Sequence, residues 1–109
     1  MRVQRHASVI RLRPDKVDDY VHLHAAVWPS VLRTIADVGI RNFSIFLRDG
    51  MLFSYFEYVG DDFDRDMAKM AADGETRRWW SLTDPCQQPL ESVEAGQWWA
   101  PAIEVFHSD

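Results

Sequence analysis

The spacing of hydrophobic and polar positions changes period several times along the chain, and each change marks an element. Residues 3 to 12 alternate weakly and are rich in Val and Ile, which predicts a first strand closed by Arg13-Pro14. From Asp15 to Val38 the period becomes helical. Val17, Tyr20, Val21, His24, Val27, Trp28, Val31, Leu32 and Ile35 form one stripe, with Asp15 as the cap at the start and Gly39 as a left-handed cap at the end. Pro29 lies inside this helix, removes a backbone donor and disfavours helical geometry at Trp28, so a kink or a break is predicted there.

Residues 41 to 48 and 51 to 59 read as two strands joined at Asp49-Gly50, a strong hairpin signal. Phe43, Ile45 and Leu47 share one face, opposite Asn42, Ser44 and Phe46; in the next strand Phe53, Tyr55 and Glu57 oppose Leu52, Ser54, Phe56 and Tyr58. Aromatic residues on both sides predict that both faces of the sheet are covered, the second by a loop or another subunit. Asp61 to Ala72 reads as a second helix, capped by Asp61 or Asp62, with Phe63, Met67 and Met70 inward. Gly74 breaks it, and a further turn or two, Glu75 to Leu82, carries Trp79 and Trp80. Residues 84 to 101 read as a long loop, and Ala102 to His107 as the last strand.

The order βαββαβ predicts an α+β, ferredoxin-like domain over residues 1–109, with an antiparallel sheet and both helices on one face. The other face then lacks cover within one chain, and a homodimer formed through that face or through a sheet edge supplies it.

Charge and cysteine content narrow the function. A net charge of −5 with scattered arginines disfavours nucleic acid, and Arg77-Arg78 reads as a solvated helix face. The single cysteine, Cys86, fits a reducing compartment, so a cytoplasmic location is expected. It sits in Asp84-Pro85-Cys86-Gln87 with no base near it in sequence, which argues against a nucleophile. No run approaches the ~18 apolar residues of a membrane span, and Met1-Arg2-Val3-Gln4-Arg5-His6 does not open a secretory signal.

The informative chemistry lies in the first long helix. Tyr20, His24 and Trp28 stack on one face while the helix stays regular. A histidine on an apolar stripe reads either as a hydrogen-bonded core residue or as half of a sugar site: imidazole titrates near neutral pH and an indole packs on the C–H face of a sugar ring. His22 falls on the opposite, solvated side. His6 and His107 lack the tight spacing of a metal site, so neither metal nor cofactor is expected. The pairs Trp79-Trp80 and Trp98-Trp99 each read as one core and one interface residue, or as a stacking wall, with Trp98-Trp99 a candidate lid. Glu57 and Glu104 lie in predicted strands; each is either an edge residue facing solvent or a second acid/base group.

Several of these segments together resemble the L-rhamnose mutarotase family: Tyr20-x-x-x-His24-x-x-x-Trp28-Pro29, Gly39-x-x-Asn42-Phe43-Ser44-Ile45-Phe46-Leu47, Leu52-Phe53-x-Tyr55-x-Glu57, Trp79-Trp80 and Glu104-Val105-Phe106-His107. The resemblance covers nearly the whole chain in the right order. It implies a dimeric ferredoxin-like fold that interconverts the α and β pyranose forms of a 6-deoxyhexose such as L-rhamnose or L-fucose without a cofactor. His24 would be the proton donor, and Tyr20, Phe43, Trp79 and Trp80 would contact the monosaccharide. The family often carries Tyr where this chain has Phe43, so one hydroxyl contact is missing. Two other readings share the same residues: a cofactor-independent oxygenase acting on aromatic substrates, and a dimeric ligand-binding module without turnover.

Overall fold

Residues 2–109 are described by a computed structural model. The elements run β1 (Gln4–Leu12), α1 (Val17–His24), α2 (Pro29–Asp37), β2 (Ile40–Arg48), β3 (Met51–Tyr58), α3 (Phe63–Ala72), α4 (Gly74–Thr83), β4 (Gln87–Gln88) and β5 (Ala100–Ala102). The sheet order is β2-β3-β1-β4, with β5 also on β1, and every pairing is antiparallel. This is the strand order of the split βαβ unit. Its fourth strand is divided: β4 pairs with Arg11 and Leu12, β5 pairs with residues 7 to 9, and residues 89–99 leave the sheet between them.

Three expectations are corrected here. The last strand is Ala100–Ala102, not Ala102–His107. Glu104 continues the β5 register by bonding Arg5 through side chains, but β1 begins at Gln4, so the residues beyond overrun it. Ile103, Val105 and Phe106 are left 90%, 95% and 82% exposed. The break predicted at Pro29 divides the first helical stretch into α1 and α2. Trp28 is extended (φ −62°, ψ 135°) because it precedes a proline, and Pro29 starts α2. Asp15 lies in a short 3₁₀ turn, Pro14–Lys16, and caps nothing. The other punctuation is as read: Gly39 is left-handed, Asp49 and Gly50 both take positive φ in the hairpin turn, and Asp62 caps α3 by accepting from the Arg65 amide. Gly74 does not break α3, which ends at Ala72 before the extended Asp73; Gly74 begins α4, and Asp73 caps it.

The strand faces divide as their alternation predicts. Ile10 pairs opposite Leu52 and Ser8 opposite Ser54, on the side that the helices cover. Ile10, Leu12, Leu52, Tyr20 and Cys86 form the core there, with Trp99 packed against it. On the reverse side Phe46 pairs opposite Phe53, and these rings are 62% and 42% exposed. The chain therefore covers only one of the two faces that the sequence pattern marks as apolar.

His6 lies in β1 with its ring against those of Phe56 (5.0 Å) and Phe63 (4.2 Å). Burial lowers its pKa from the ordinary value of 6.5. The folded chain then holds this proton less tightly than the unfolded chain does. The contribution to stability is complete above about pH 6.5 and is lost as pH falls through the depressed folded value. Melting curves across that window are expected to show a smaller acid-side loss for His6→Phe than for the wild type.

Candidate functional site

The two central strands carry a small polar pair where larger side chains would fill the sheet–helix interface. Ser8 and Ser54 face each other with their hydroxyls 2.7 Å apart. They form the floor of a cleft of about 1060 Å³ between the sheet and the helices, large enough for a monosaccharide.

Tyr20 and His24 line this cleft from α1, one turn apart, with ring centroids 4.2 Å apart. His24 Nδ1 lies 2.8 Å from the Tyr20 carbonyl oxygen. A carbonyl only accepts, so Nδ1 carries the hydrogen and Nε2 is the nitrogen left for a ligand. α4 places Trp79 and Trp80 on the same cleft; Trp79 makes T-shaped contacts with His24 at 5.4 Å and with Trp28 at 5.2 Å. Phe43 reaches the rim through a β-bulge. Asn42 and Phe43 together face Phe56, and Asn42 takes φ 51°, a conformation that asparagine tolerates.

The fourth wall comes from the divided edge strand. Gln87 in β4 is buried, its Nε2 donates to the Tyr20 hydroxyl at 3.3 Å, and its Oε1 accepts from Trp98 Nε1 at 2.7 Å. Burial pushes the Tyr20 phenol up to about 12; the hydrogen bond from Gln87 opposes the rise, and the charges of Cys86 and Asp84 add to it. Asp84 is the one carboxylate among the described residues that line the cleft, and burial raises its pKa.

The structure thus gathers Tyr20, His24, Phe43, Trp79 and Trp80 around one cavity. Trp98 and Trp99 line it as well, and the remaining candidates lie elsewhere. Trp28 supports Trp79 from outside the lining, because the break at Pro29 takes it off the α1 face. Glu57 and Glu104 lie on the reverse face, where Glu57 accepts from Asn42 and Tyr55 and Glu104 binds Arg5. Neither can reach a ligand in this cleft from its own chain. His107 bonds Asp109, and Cys86 is buried with its thiol pKa raised, the reverse of an activated nucleophile. No group of three or more His, Cys, Asp or Glu among the described residues is placed to hold a metal. Sequence reasoning missed Asp84 and Gln87 because the stretch around Cys86 reads as a loop, and only its pairing with β1 turns Gln87 inward.

A histidine with one nitrogen anchored and one free, in an aromatic cleft that also carries hydroxyls and one carboxylate, is suited to acid/base chemistry on a small polar ligand. Family comparison gives the particular kind. Residues 5–108 match the family model for L-rhamnose mutarotase, and the chain belongs to that family, whose members are isomerases acting on a monosaccharide. The L-rhamnose mutarotase of Oceanobacillus iheyensis is 27% identical over 107 residues, covering 98% of this chain and 100% of that protein. That of Bacillus subtilis is 32% identical over 85 residues, covering 76% and 79%. The crystal structure of an L-rhamnose mutarotase from Formosa agariphila superposes with a TM-score of 0.75 at 21% identity, covering 97% of this chain and 99% of that one, which supports the shared fold. No helix among the described residues is long and apolar enough to cross a membrane.

Proposed function

We propose that this chain interconverts the α and β pyranose anomers of a 6-deoxyhexose, L-rhamnose or L-fucose, with His24 as proton donor. The observation that carries the reading is the free Nε2 of His24, fixed by the bond from Nδ1 to the Tyr20 carbonyl inside an aromatic cleft. Ring opening requires an acid at the ring oxygen and a base at the anomeric hydroxyl. The His24 imidazolium gives its proton to the ring oxygen as the C1–O5 bond breaks, and the Asp84 carboxylate takes the proton of the anomeric hydroxyl. The aldehyde turns about C1–C2, and both protons return when the ring closes on the other face. Trp79, Trp80 and Phe43 hold the sugar by its C–H faces. Phe43 offers no hydroxyl, so recognition of the ring hydroxyls falls to Tyr20 and the Ser8–Ser54 pair.

Saturation-transfer NMR of the anomeric protons tests this directly. Catalytic amounts of protein are expected to transfer saturation between the α and β signals of one of the two sugars, and the faster one is the substrate. Exchange no faster than in buffer for both sugars and for a wider panel of aldoses would sink the reading.

We further propose that the working unit is a homodimer. Phe46 and Phe53 on the open sheet face, and Ile103, Val105 and Phe106 on the tail, are apolar and uncovered. A second copy supplies a matching face and a matching extended tail, so one two-fold contact covers both features. Sedimentation equilibrium is expected to give twice the chain mass, and Phe53→Glu, which places a charge at the centre of the face, is expected to give the monomer. A wild-type monomer at micromolar concentration would refute the dimer.

A further inference from the structure

We infer that Gln87 is a positioning residue that turns the Tyr20 hydroxyl proton toward the ligand, and that Trp98, on the loop beside the cleft, sets the direction of the Gln87 amide. The inference deepens the mutarotase reading and rests on it.

The chain of reasoning begins at the indole. A tryptophan Nε1–H donates and cannot accept, so the Gln87 amide atom 2.7 Å from it must be the oxygen. The planar amide then presents its NH₂ group to Tyr20, at 3.3 Å. An amide NH₂ only donates, so the Tyr20 oxygen is the acceptor in that bond. The phenol hydrogen is left to point elsewhere, and among the described residues no protein group accepts it. Tyr20 lines the cleft, which is where that hydrogen can find an acceptor: an oxygen of the sugar. With the amide reversed, Tyr20 would donate to Gln87 and would offer a ligand only its lone pairs. The indole therefore selects between a donor and an acceptor at Tyr20, two bonds away from itself. The raised pKa of Tyr20 agrees with this role, since a phenol near 12 keeps its hydrogen through the physiological range.

The position of Trp98 adds a consequence. It lies near the end of the irregular stretch, residues 89–99, that starts directly after β4, the strand holding Gln87. Seating of this loop and alignment of the Tyr20 donor are one event: when Trp98 leaves, the amide loses the contact that fixes its direction.

The test uses the same anomer-exchange measurement on the full chain, with kcat and KM separated. Gln87→Met keeps the volume and loses both hydrogen bonds. It is expected to lower kcat about tenfold with a smaller change in KM, the scale of one misaligned hydrogen bond. Tyr20→Phe is expected to lower kcat at least as much, and the double variant to fall no further than Tyr20→Phe alone. Gln87→Glu keeps shape and tests direction, and it stands in if the Met variant misfolds. Once ionised, the introduced carboxylate accepts from both Trp98 and Tyr20, so it captures the phenol hydrogen. Activity of this variant is expected to fall as pH rises through the titration of the new carboxyl, relative to the wild-type profile. The titratable neighbours Tyr20, His24, Asp84 and Cys86 are common to both proteins, so the ratio of the two profiles isolates the new group. Wild-type exchange that survives Gln87→Met unchanged, a double variant with additive losses, or a Glu variant that follows the wild-type pH profile would each overturn the inference alone. A wild type without exchange would overturn the mutarotase reading, and the positioning role with it.

Discussion

His24→Ala is expected to reduce catalysed anomer exchange by roughly 10²–10⁴-fold, the usual contribution of a positioned general acid/base. The imidazole is held at one nitrogen by the Tyr20 carbonyl and makes a T-shaped contact with Trp79, so its removal opens a space without disturbing the sheet. The aromatic wall remains, and sugar affinity is expected to change far less than turnover. Added imidazole is expected to restore part of the rate by occupying the vacated space. Asp84→Asn is expected to act on the same step, and the double variant to lose little beyond His24→Ala, because an acid without its base cannot complete ring opening. Exchange rates from NMR at several imidazole concentrations check all of these together. An His24→Ala variant retaining more than about a third of the wild-type rate would remove His24 from the chemistry, since proton transfer of ordinary efficiency cannot be so nearly dispensable.

What the sequence disclosed and what it concealed follow from the range of the interactions involved. Tyr20 and His24 are one helical turn apart, so their meeting was a matter of local geometry and could be read directly. The faces of β3 and of β2 from Asn42 onward were equally legible, because alternation holds there, whereas the bulge at Asn42 and Phe43 reverses its phase relative to Ile40 and Arg41. Trp28 looked like a third member of the α1 face only while the helix was taken as regular; the residue before a proline prefers extended geometry, and that preference won. The far side of the cleft was hidden for a different reason. Gln87 lies 67 residues from Tyr20 along the chain, and a two-residue strand has no periodicity to detect. The same absence of local signal concealed Asp84. Glu57 and Glu104 attracted notice because a carboxylate in a strand must be paired, and they are paired, on the face away from the cleft. The tail from Ile103 to Phe106 has the alternation of a strand, but alternation cannot reveal whether β1 is long enough to pair with it.

Gly60→Ala is expected to be among the most destabilising single substitutions in the chain. Gly60 lies between β3 and α3, where the completely buried Tyr58 donates to Asp66 and accepts the amide hydrogen of Asp62. A methyl group at Gly60 would collide with the Tyr58 hydroxyl and would lie 2.6 Å from its ring carbon Cζ and 2.7 Å from Asp66 Oδ2. None of these atoms is the loose end of a surface side chain, so relief requires moving Tyr58 out of the core or α3 off the sheet. Overpacking of this kind costs about 1–3 kcal/mol, and the broken bonds to a buried carboxylate add to it. The midpoint of thermal unfolding is expected to fall by roughly 10 °C or more for a domain of this size. Gly74→Ala supplies the contrast. A methyl group there meets nothing within 4 Å, at the start of α4, and that variant is expected to melt within a few degrees of the wild type. The two outcomes also connect stability with the site. α4 follows α3 through Asp73, which caps α4 and accepts from Thr34 of α2, and α4 carries Trp79 and Trp80. Loosening α3 therefore loosens the tryptophan wall. At temperatures where Gly60→Ala is still folded, KM for the sugar is expected to rise while the His24 chemistry in bound complexes is unchanged. A Gly60→Ala variant that melts like Gly74→Ala would show that Tyr58 and Asp66 do not anchor α3, and the tryptophan wall would then need another support.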